Sequence, residues 1–463
     1  MFKKKYSVIL LSIIGIIVIN IFFISLIKTE QLLSVLVIFM LFAIIGLLIN
    51  TKLGLNESKL FIIVYYLNVF AVIALYIIYM NRYGQPYYIG GSDDLGYEMG
   101  AQKIVQSLGI FDYFSIRGNI LPNWHNSVGY VYLISLFYRV AQPLGGFHTF
   151  IPRIFNSFIL ALLSILVYHF AIYKLKLNLS ISFGVALIVG LAPIMMYNSA
   201  HTFRDIIVAF LMFLCIYIWN DYDKYVFNKQ IIILVITLLI IFILWETRSL
   251  TAILTVLLIC FSYLDQKRKM IKTFKSKQNI FFLFFILFGI SVFFYCYSQG
   301  YIGWLSNRLI TYYVSYNKYV ISKSEGFAKF GFDAIFPLNY LFRFIYLSIY
   351  PIPILSSEIE RLWLSTGTII QIFFLPYVII GLRRLIKKKL ALNIAFGFLV
   401  IFISVSIFSF TFRHISMFYP FGVLVAGYGY NYFQSVNRKY IWLGMYSLFL
   451  SGVIIYILAK YFL

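Results

Sequence analysis

The chain has 463 residues, of which 62% are hydrophobic and only 11% are charged. Soluble domains carry about 25% charged residues on average, so this composition excludes a soluble enzyme and a disordered protein and predicts that lipid surrounds most of the chain. The net charge of +23 does not indicate a nucleic-acid partner. Most of the basic residues lie in short breaks between apolar runs, where such residues orient membrane helices.

Apolar runs long enough to cross a bilayer, about 20 residues each, recur along the chain. We predict one all-α integral membrane domain over residues 1–463 with about thirteen transmembrane helices: 6–27, 31–50, 60–80, 154–173, 181–199, 205–220, 231–246, 249–264, 279–297, 363–382, 390–410, 415–433 and 440–458. The run 231–264 is too long for one span and is interrupted by the sequence W-E-T-R at 245–248. It is therefore predicted to be a hairpin with a polar tip.

The charge distribution predicts the orientation. With a cytoplasmic N-terminus, the N-terminal tail and the inner loops hold 22 of the 38 Lys and Arg residues, whereas 11 of the 15 acidic residues lie outside. This bias predicts a multi-pass protein of the cytoplasmic membrane. Counting 127–143 or 337–355 as spans would disturb the alternation, so both are predicted to be amphipathic helices on the outer face, with Arg139 or Arg343 in contact with water.

Two long outer loops, 81–153 and 298–362, are predicted to form the active-site face. The first contains Asp93, Asp94 and Glu98 within six positions. Neighbouring carboxylates raise one another's pKa, which suits a general base or a divalent-cation site at the two aspartates. An aspartate here can equally cap the helix that follows, and the residues alone leave both roles open.

Basic and imidazole side chains supply further substrate-binding candidates. His125 and Arg153 lie later in the first outer loop, and three clusters lie at the outer ends of spans: His201 with Arg204, Glu246 with Arg248, and Arg413 with His414. A guanidinium suits a phosphate or pyrophosphate. A local ion pair explains each cluster equally well, but three arginines on one face opposite carboxylates favour an anionic lipid headgroup.

Four segments together resemble a known class of enzymes. They are the acidic pair at 93–94, H-N-S-V-G-Y-V-Y-L-I-S-L-F-Y-R-V at 125–140, P-R-I-F-N-S-F-I-L-A-L-L-S-I-L-V-Y at 152–168 and R-H-I-S-M-F-Y-P at 413–420. Their order and spacing resemble the GT-C class of membrane glycosyltransferases, which includes protein O-mannosyltransferases and lipid A aminoarabinose transferases.

The resemblance implies transfer of a sugar from a polyprenyl-phosphate or polyprenyl-pyrophosphate donor, on the outer face, with inversion at the anomeric carbon. It implies that Asp93 or Asp94 is the base and that Arg413 and His414 bind the lipid phosphate. We favour Asp94 as base and Asp93 as helix N-cap. The chain departs from the class in its two extra N-terminal spans and in Asp94, where many members have Glu. Because it shows no soluble domain, an envelope lipid or glycan is the expected acceptor.

Two other functions stay open. A repeat-unit polymerase of the O-antigen or capsule type would use the same kind of donor, but many such enzymes have Gly eleven positions after an outer Arg, a spacing that Arg82, Arg117 and Arg204 lack. A polysaccharide or lipid transporter, or a flippase, predicts paired, interrupted spans in two related halves. The sequence shows no such pairing, and its acids cluster in loops.

Overall fold

A computed structural model of the protein describes residues 2–87, 93–107, 127–222, 226–267, 337–349, 359–408 and 412–433, with isolated positions between these segments. This part of the chain is helical and contains no strand. Its α-helices are α1 (Phe2–Leu26), α2 (Thr29–Leu53), α3 (Leu55–Tyr83), α4 (Asp93–Ser107), α5 (Val128–Ala141), α6 (Phe150–Tyr173), α7 (Leu179–Leu191), α8 (Pro193–Ser199), α9 (Asp205–Trp219), α10 (Phe227–Lys267), α11 (Leu338–Ile349), α12 (Ile359–Lys388), α13 (Leu392–Phe408) and α14 (Ile415–Tyr432).

Many of these helices have the length and composition of membrane spans. The described residues contain 5 helices long and apolar enough to cross a membrane, or 6 if the bent pair α7 and α8 forms one span. The predicted spans 6–27, 205–220 and 390–410 correspond to shorter apolar helices. The predicted span 279–297 and most of 440–458 lie outside the described residues. The all-helical architecture with several apolar spans agrees with the prediction, whereas the count of thirteen stays a prediction.

The predicted span 181–199 is a broken helix. α7 and α8 meet at Pro193 with a bend of 49°, because proline has no N–H with which to continue the helix. Asn68 of α3 bridges the break: its Nδ2 donates to the Gly190 carbonyl oxygen at 2.9 Å, and its Oδ1 accepts from Ser199 Oγ at 2.8 Å. One polar side chain thus binds backbone and hydroxyl groups on both sides of the bend, as an apolar environment requires.

α10 is the hairpin that the sequence predicts. Its backbone leaves helical geometry at Arg248, with φ −162° and ψ 93°. Gln230 Nε2 donates to the Tyr222 carbonyl oxygen at 3.2 Å, and the Tyr263 ring lies 6.3 Å from the Tyr222 ring. A straight helix would separate Gln230 from Tyr263 by about 50 Å. Both can contact Tyr222 only because the chain reverses at Arg248.

α14 is the central helix of the bundle. Residues 415–429 are all buried, and α14 packs against α7, α9, α12 and α13. Gly429 allows a close approach to α12, because a Cβ at this position would lie 2.0 Å from the Tyr377 carbonyl oxygen. Since protein rather than lipid surrounds α14, the helix carries Gly and Tyr residues that a lipid-facing span would seldom combine.

The helix ends form two faces of the bundle. On one face, which we call the site face, Tyr83 at the end of α3 donates to Glu360 at the start of α12 at 3.4 Å. Also on the site face, Arg248 at the tip of α10 donates to Asp205 at the start of α9 at 2.7 Å. These ends belong to loops that the sequence assigns to the outer side.

The other end of the bundle, which we call the opposite face, joins loops that the sequence assigns to the inner side. Asn56 at the start of α3 donates to Tyr168 Oη near the end of α6 at 3.0 Å. Asn393 at the start of α13 donates to Asn220 after α9 at 3.1 Å. The loops that these contacts join therefore lie on the faces to which the prediction assigns them.

α5 lies along the site face instead of crossing the bundle. Ser127, just before α5, accepts a hydrogen bond from Arg204. Gly145, just after α5, has φ +98°, and a Cβ there would lie 1.7 Å from the carbonyl oxygen of Glu30 at the start of α2. Both ends of α5 thus contact the site face, so α5 does not run from one face of the bundle to the other.

α11 differs from the prediction at its arginine. The helix forms within 337–355, but Arg343 is only 2% exposed instead of lying in water. Its Nη1 donates to the Ile407 carbonyl oxygen at 3.5 Å, at the end of α13. The last carbonyls of a helix have no partner within the helix, and a basic side chain that binds them is drawn inward.

Candidate active site

The two adjacent acids of α4 face different arginines. Asp93, the first residue of α4, accepts a hydrogen bond from Arg413 Nη2 at 2.6 Å, and its side chain is 47% exposed. Asp94 is fully buried, with Oδ2 4.0 Å from Arg153 Nη2. The side chains therefore diverge as predicted. However, Asp93 is the first helical residue and forms an ion pair, whereas the sequence predicted it as the N-cap.

Asp94 and Arg153 do not complete their mutual contact. The separation of 4.0 Å is too long for a hydrogen bond, and Arg153 Nη2 instead donates to the Pro86 carbonyl oxygen at 2.7 Å. Among the described residues, Asp94 Oδ2 and the Nε and Nη1 of Arg153 have no hydrogen-bond partner. Buried polar atoms left without partners are costly, so this pair offers one acceptor and two donors to a ligand.

Burial raises the pKa of Asp94 to about 6, against the opposing charge of Arg153 and a hydrogen bond from the Leu95 backbone N–H. A carboxylate with a pKa close to neutral is a better base than an ordinary aspartate, and at neutral pH most of it is still ionised. Asp94 thus combines a pKa suited to a general base with a carboxylate oxygen that accepts no hydrogen bond from the described residues.

Glu98 lies one helical turn after Asp94 and is only 3% exposed. Its Oε2 accepts from Tyr87 Oη at 2.5 Å, and its Oε1 accepts from Thr149 Oγ1 at 2.7 Å and Thr202 Oγ1 at 2.8 Å. The carboxylate that the sequence offered as a substrate contact therefore binds three hydroxyls of the protein. These hydrogen bonds connect α4 to the residue before α6 and to a residue after α8. They fix the position of α4 next to Asp94.

Asp205 is the centre of a second polar group. Arg248 Nη1 donates to Asp205 Oδ1 at 2.7 Å, and Arg248 Nη2 donates to His414 Nε2. His414 Nε2 also lies 3.9 Å from Asp205 Oδ1. Burial and the charge of Arg248 hold the pKa of His414 well below its ordinary value, so its neutral ring accepts from Arg248.

The other two predicted arginines join this group. Arg204 donates to Ser127 Oγ, and also to the Thr247 carbonyl oxygen at 2.5 Å. The Arg413 guanidinium stacks 4.2 Å from the centre of the Phe203 ring. Both lie close enough to Asp205 to act on it electrostatically. The structure therefore brings together all three arginines that the sequence placed at the ends of separate spans.

His201 has a packing role in this structure. It is fully buried and stacks on Phe203 with 4.8 Å between ring centres. Nδ1 donates to the Tyr197 carbonyl oxygen at 2.7 Å, and Nε2 accepts from Tyr79 Oη at 2.9 Å. Burial and nearby Arg153 lower the pKa of His201 to about 3. Both ring nitrogens bind the protein itself, which leaves neither for the predicted substrate contact.

Other candidates fall outside this geometry. His125 lies outside the described residues. Glu246 is 6% exposed and accepts from Tyr113 Oη at 2.6 Å. The part of the chain that the structure describes has no group of three or more His, Cys, Asp or Glu side chains able to hold a metal ion, so no cation is assigned to Asp93 or Asp94.

Sequence reasoning missed several partners that shape the site. The hydroxyls around Glu98 come from three separate segments and share no spacing that would reveal them. Asp205 was visible, because it follows Arg204 directly, but its pairing with Arg248 joins α9 to the tip of α10. Comparisons of the chain with protein-family models, with curated proteins and with solved structures found no match.

Proposed function

We propose that the protein is a membrane glycosyltransferase that moves a sugar from a polyprenyl-phosphate or polyprenyl-pyrophosphate donor to an envelope lipid or glycan, with Asp94 as general base. The observation that carries the proposal is the buried Asp94 beside Arg153. Its Oδ2 accepts no hydrogen bond from the described residues, and burial raises its pKa to about 6. This arrangement costs stability, and an acceptor hydroxyl would satisfy it.

The chemistry fits the distances around Asp94. An acceptor oxygen about 2.8 Å from Asp94 Oδ2 lies close to Arg153, whose Nη2 is 4.0 Å from Oδ2 and whose Nε and Nη1 have no partner among the described residues. The acceptor hydroxyl gives its proton to Asp94, and its oxygen attacks the anomeric carbon. The bond from that carbon to the lipid phosphate breaks, and the phosphate leaves with the electron pair. Attack opposite the leaving group inverts the anomeric centre.

The donor phosphate belongs beside Arg413 in this proposal. Arg413 is 17% exposed and is paired with the half-exposed Asp93, so a phosphate can replace or join that carboxylate. Because Asp93 and Asp94 are consecutive in α4, the proposed base is the direct neighbour of the aspartate that pairs with Arg413. Arg204 and Arg248 add positive charge close to Arg413. A leaving group with two negative charges is stabilised by such a cluster.

We also propose that the site face is extracytoplasmic and the N-terminus cytoplasmic, in the cytoplasmic membrane. The excess of basic residues in the predicted inner loops supports this orientation. In a cysteine-free variant, Ser107→Cys on α4 is expected to react with an impermeant thiol reagent added to intact cells, whereas Lys387→Cys at the end of α12 is not. Reaction of Lys387→Cys alone would reverse the orientation.

The catalytic proposal is tested by comparing Asp94→Asn with Asp93→Asn. Membranes that contain each variant are supplied with a panel of polyprenyl-phosphate sugars and native envelope extract, and transfer is measured as release of free lipid phosphate. Asp94→Asn is expected to lower turnover by about 10²–10⁴-fold, the usual contribution of general-base catalysis. Asp93→Asn, which keeps the helix and loses only the Arg413 pair, is the matched control.

Wild-type turnover in both variants would refute the role of the acidic pair. A repeat-unit polymerase would release lipid pyrophosphate in the same assay but give a ladder of polymeric product, whereas a glycosyltransferase adds one sugar. A flippase is the second candidate, because α7 with α8 forms an interrupted helix and interrupted helices line the sites of many transporters. It would move a labelled lipid across the membrane without releasing phosphate.

A further inference from the structure

An apolar groove lies away from the polar residues of the site face. It has a volume of about 360 Å³ and runs between α7, α12 and α14, with Gly184, Val185, Tyr377, Val423 and Gly427 among its lining residues. Two glycines of this lining have different surroundings. A Cβ at Gly427 would lie 2.4 Å from Val185 Cγ2, whereas a Cβ at Gly184 would meet no atom within 4 Å.

The groove belongs to the half of the bundle near the opposite face. On α7 it begins one residue after the helix start, and on α14 it extends as far as Tyr430, next to the helix end. Arg413 lies 17 residues before Tyr430, which corresponds to about 25 Å along a helix. The groove is therefore separate from the Asp94 and Asp205 groups and is not explained by the proposed transfer reaction.

A basic rim follows the groove on the same pair of helices. The Arg384 guanidinium lies 5.0 Å and the Lys388 ammonium 4.3 Å from the centre of the Tyr432 ring. Arg384 is two turns beyond the groove residue Tyr377 on α12, and Tyr432 is two residues beyond the groove residue Tyr430 on α14. Stacking on an aromatic ring holds both cations at this position.

We propose that this groove binds an anionic glycerophospholipid from the leaflet at the opposite face. One acyl chain lies in the apolar groove, and the phosphate of the headgroup binds Arg384 and Lys388. Basic pockets between membrane helices recognise anionic headgroups in this way. The apolar lining excludes a soluble anion as the occupant, since such an anion would gain nothing from the groove, and the two cations favour an anionic lipid over a zwitterionic one.

The proposal is tested with photoreactive lipids in nanodiscs. Full-length protein is exposed to phosphatidylglycerol that carries a diazirine in one acyl chain, and the labelled peptides are identified by mass spectrometry. Labelling is expected on α7, α12 and α14 around Gly184 and Val423, and the matching phosphatidylcholine probe is expected to label them several-fold less. The double variant Arg384→Gln/Lys388→Gln should lose most of this several-fold preference, because it removes both cations that attract the anionic headgroup.

Two controls distinguish a specific lipid-binding site from the general attraction of anionic lipids to basic residues. Arg383→Gln/Lys387→Gln removes the same charge from exposed positions of the same helix and should leave the preference unchanged. Gly184→Leu fills the groove while keeping both cations, and because a Cβ is tolerated there the protein should fold and lose the label. Equal labelling by both lipids, an equal loss in the two double variants, or stronger labelling by a polyprenyl-phosphate probe would each overturn the proposal.

Discussion

Two buried aspartate–arginine pairs lie on the same face of the bundle and behave differently. Arg248 contacts Asp205 at 2.7 Å and also binds His414, so its charge is well compensated. Arg153 stands 4.0 Å from Asp94, and among the described residues one carboxylate oxygen and two guanidinium nitrogens of this pair have no partner. The first pair holds helices together, whereas the second keeps polar atoms available at a cost in stability.

The difference arises from where the chain puts each arginine. Arg248 lies at the tip of a hairpin, where its backbone is not helical, and its side chain is free to align with Asp205 at the start of α9. Arg153 lies in the first turn of α6 and is held by the Pro86 carbonyl oxygen. Its guanidinium therefore points toward Asp94 without reaching it. Identical residue types thus give a hydrogen-bonded ion pair in one place and an incomplete contact in the other.

The largest effect is expected when the hydrogen-bonded pair of Arg248 and Asp205 is broken. Arg248→Met removes the cation that is hydrogen-bonded to Asp205 and leaves this buried carboxylate without its main partner. Breaking a buried pair in this way costs about 3–5 kcal/mol, so we expect a strong loss of thermal stability in detergent-solubilised protein. The measurement is the melting temperature followed by tryptophan fluorescence.

Arg82→Met is the matched control for that variant. Arg82 lies 3.5 Å from Glu360, but its side chain is 37% exposed, and exposed pairs contribute about 0–1 kcal/mol. We expect Arg82→Met to melt close to the wild type. If Arg248→Met is equally mild, the Asp205 group is not a structural contact and the contrast between the two pairs disappears.

An intermediate effect is expected at Arg413, whose partner Asp93 is half exposed. Under the proposed function, Arg413→Ala removes one charge-assisted contact to the donor phosphate, worth about 1.5–3 kcal/mol, and weakens donor binding by roughly 10- to 150-fold. The measurement is the dissociation constant of a fluorescent polyprenyl phosphate for purified protein. Asp93→Asn frees Arg413 from its carboxylate and should bind the lipid at least as well as the wild type. Unchanged affinity in Arg413→Ala would remove it from the donor site.

The smallest effect is expected on stability when Asp94, whose contact with Arg153 is incomplete, is replaced. Because the pKa of Asp94 is raised to about 6 in the folded state from about 3.9 in an unfolded chain, its favourable contribution is fully present below pH 3.9 and is lost as the pH rises through 6. Asp94→Asn should therefore melt no lower than the wild type at pH 7.5. Between pH 4 and 6, the melting temperature of the wild type should fall relative to that of Asp94→Asn as the pH rises. A large loss of stability at pH 7.5 would show that Asp94 is structural.

Local patterns in the sequence predicted part of this geometry. The W-E-T-R break in an apolar run of double length predicted the hairpin of α10. The charge alternation predicted that 127–143 does not cross the bundle. The adjacent acids of α4 diverge because consecutive helical residues point about 100° apart. Each of these features depends only on residues close together in the chain.

Contacts between distant segments of the chain could not be predicted from the sequence. Arg248 pairs with Asp205 across 43 residues, and neither a span pattern nor a charge count identifies that partner. The three hydroxyls that surround Glu98 were missed for the same reason. Arg343 was expected in water because amphipathic helices usually keep their cations there, but the free carbonyl at the end of α13 draws it inward.

The hairpin of α10 has a consequence for how the protein enters the membrane. Its tip carries Glu246 and Arg248, and in the proposed orientation the tip has to pass through the hydrocarbon to reach the site face. A charged residue at the centre of a bilayer costs about 2.5–3.5 kcal/mol on insertion scales, and each apolar arm of the hairpin offsets that cost. The two arms are therefore expected to insert as one unit, after which Asp205 compensates the charge of Arg248 and Tyr113 donates a hydrogen bond to Glu246.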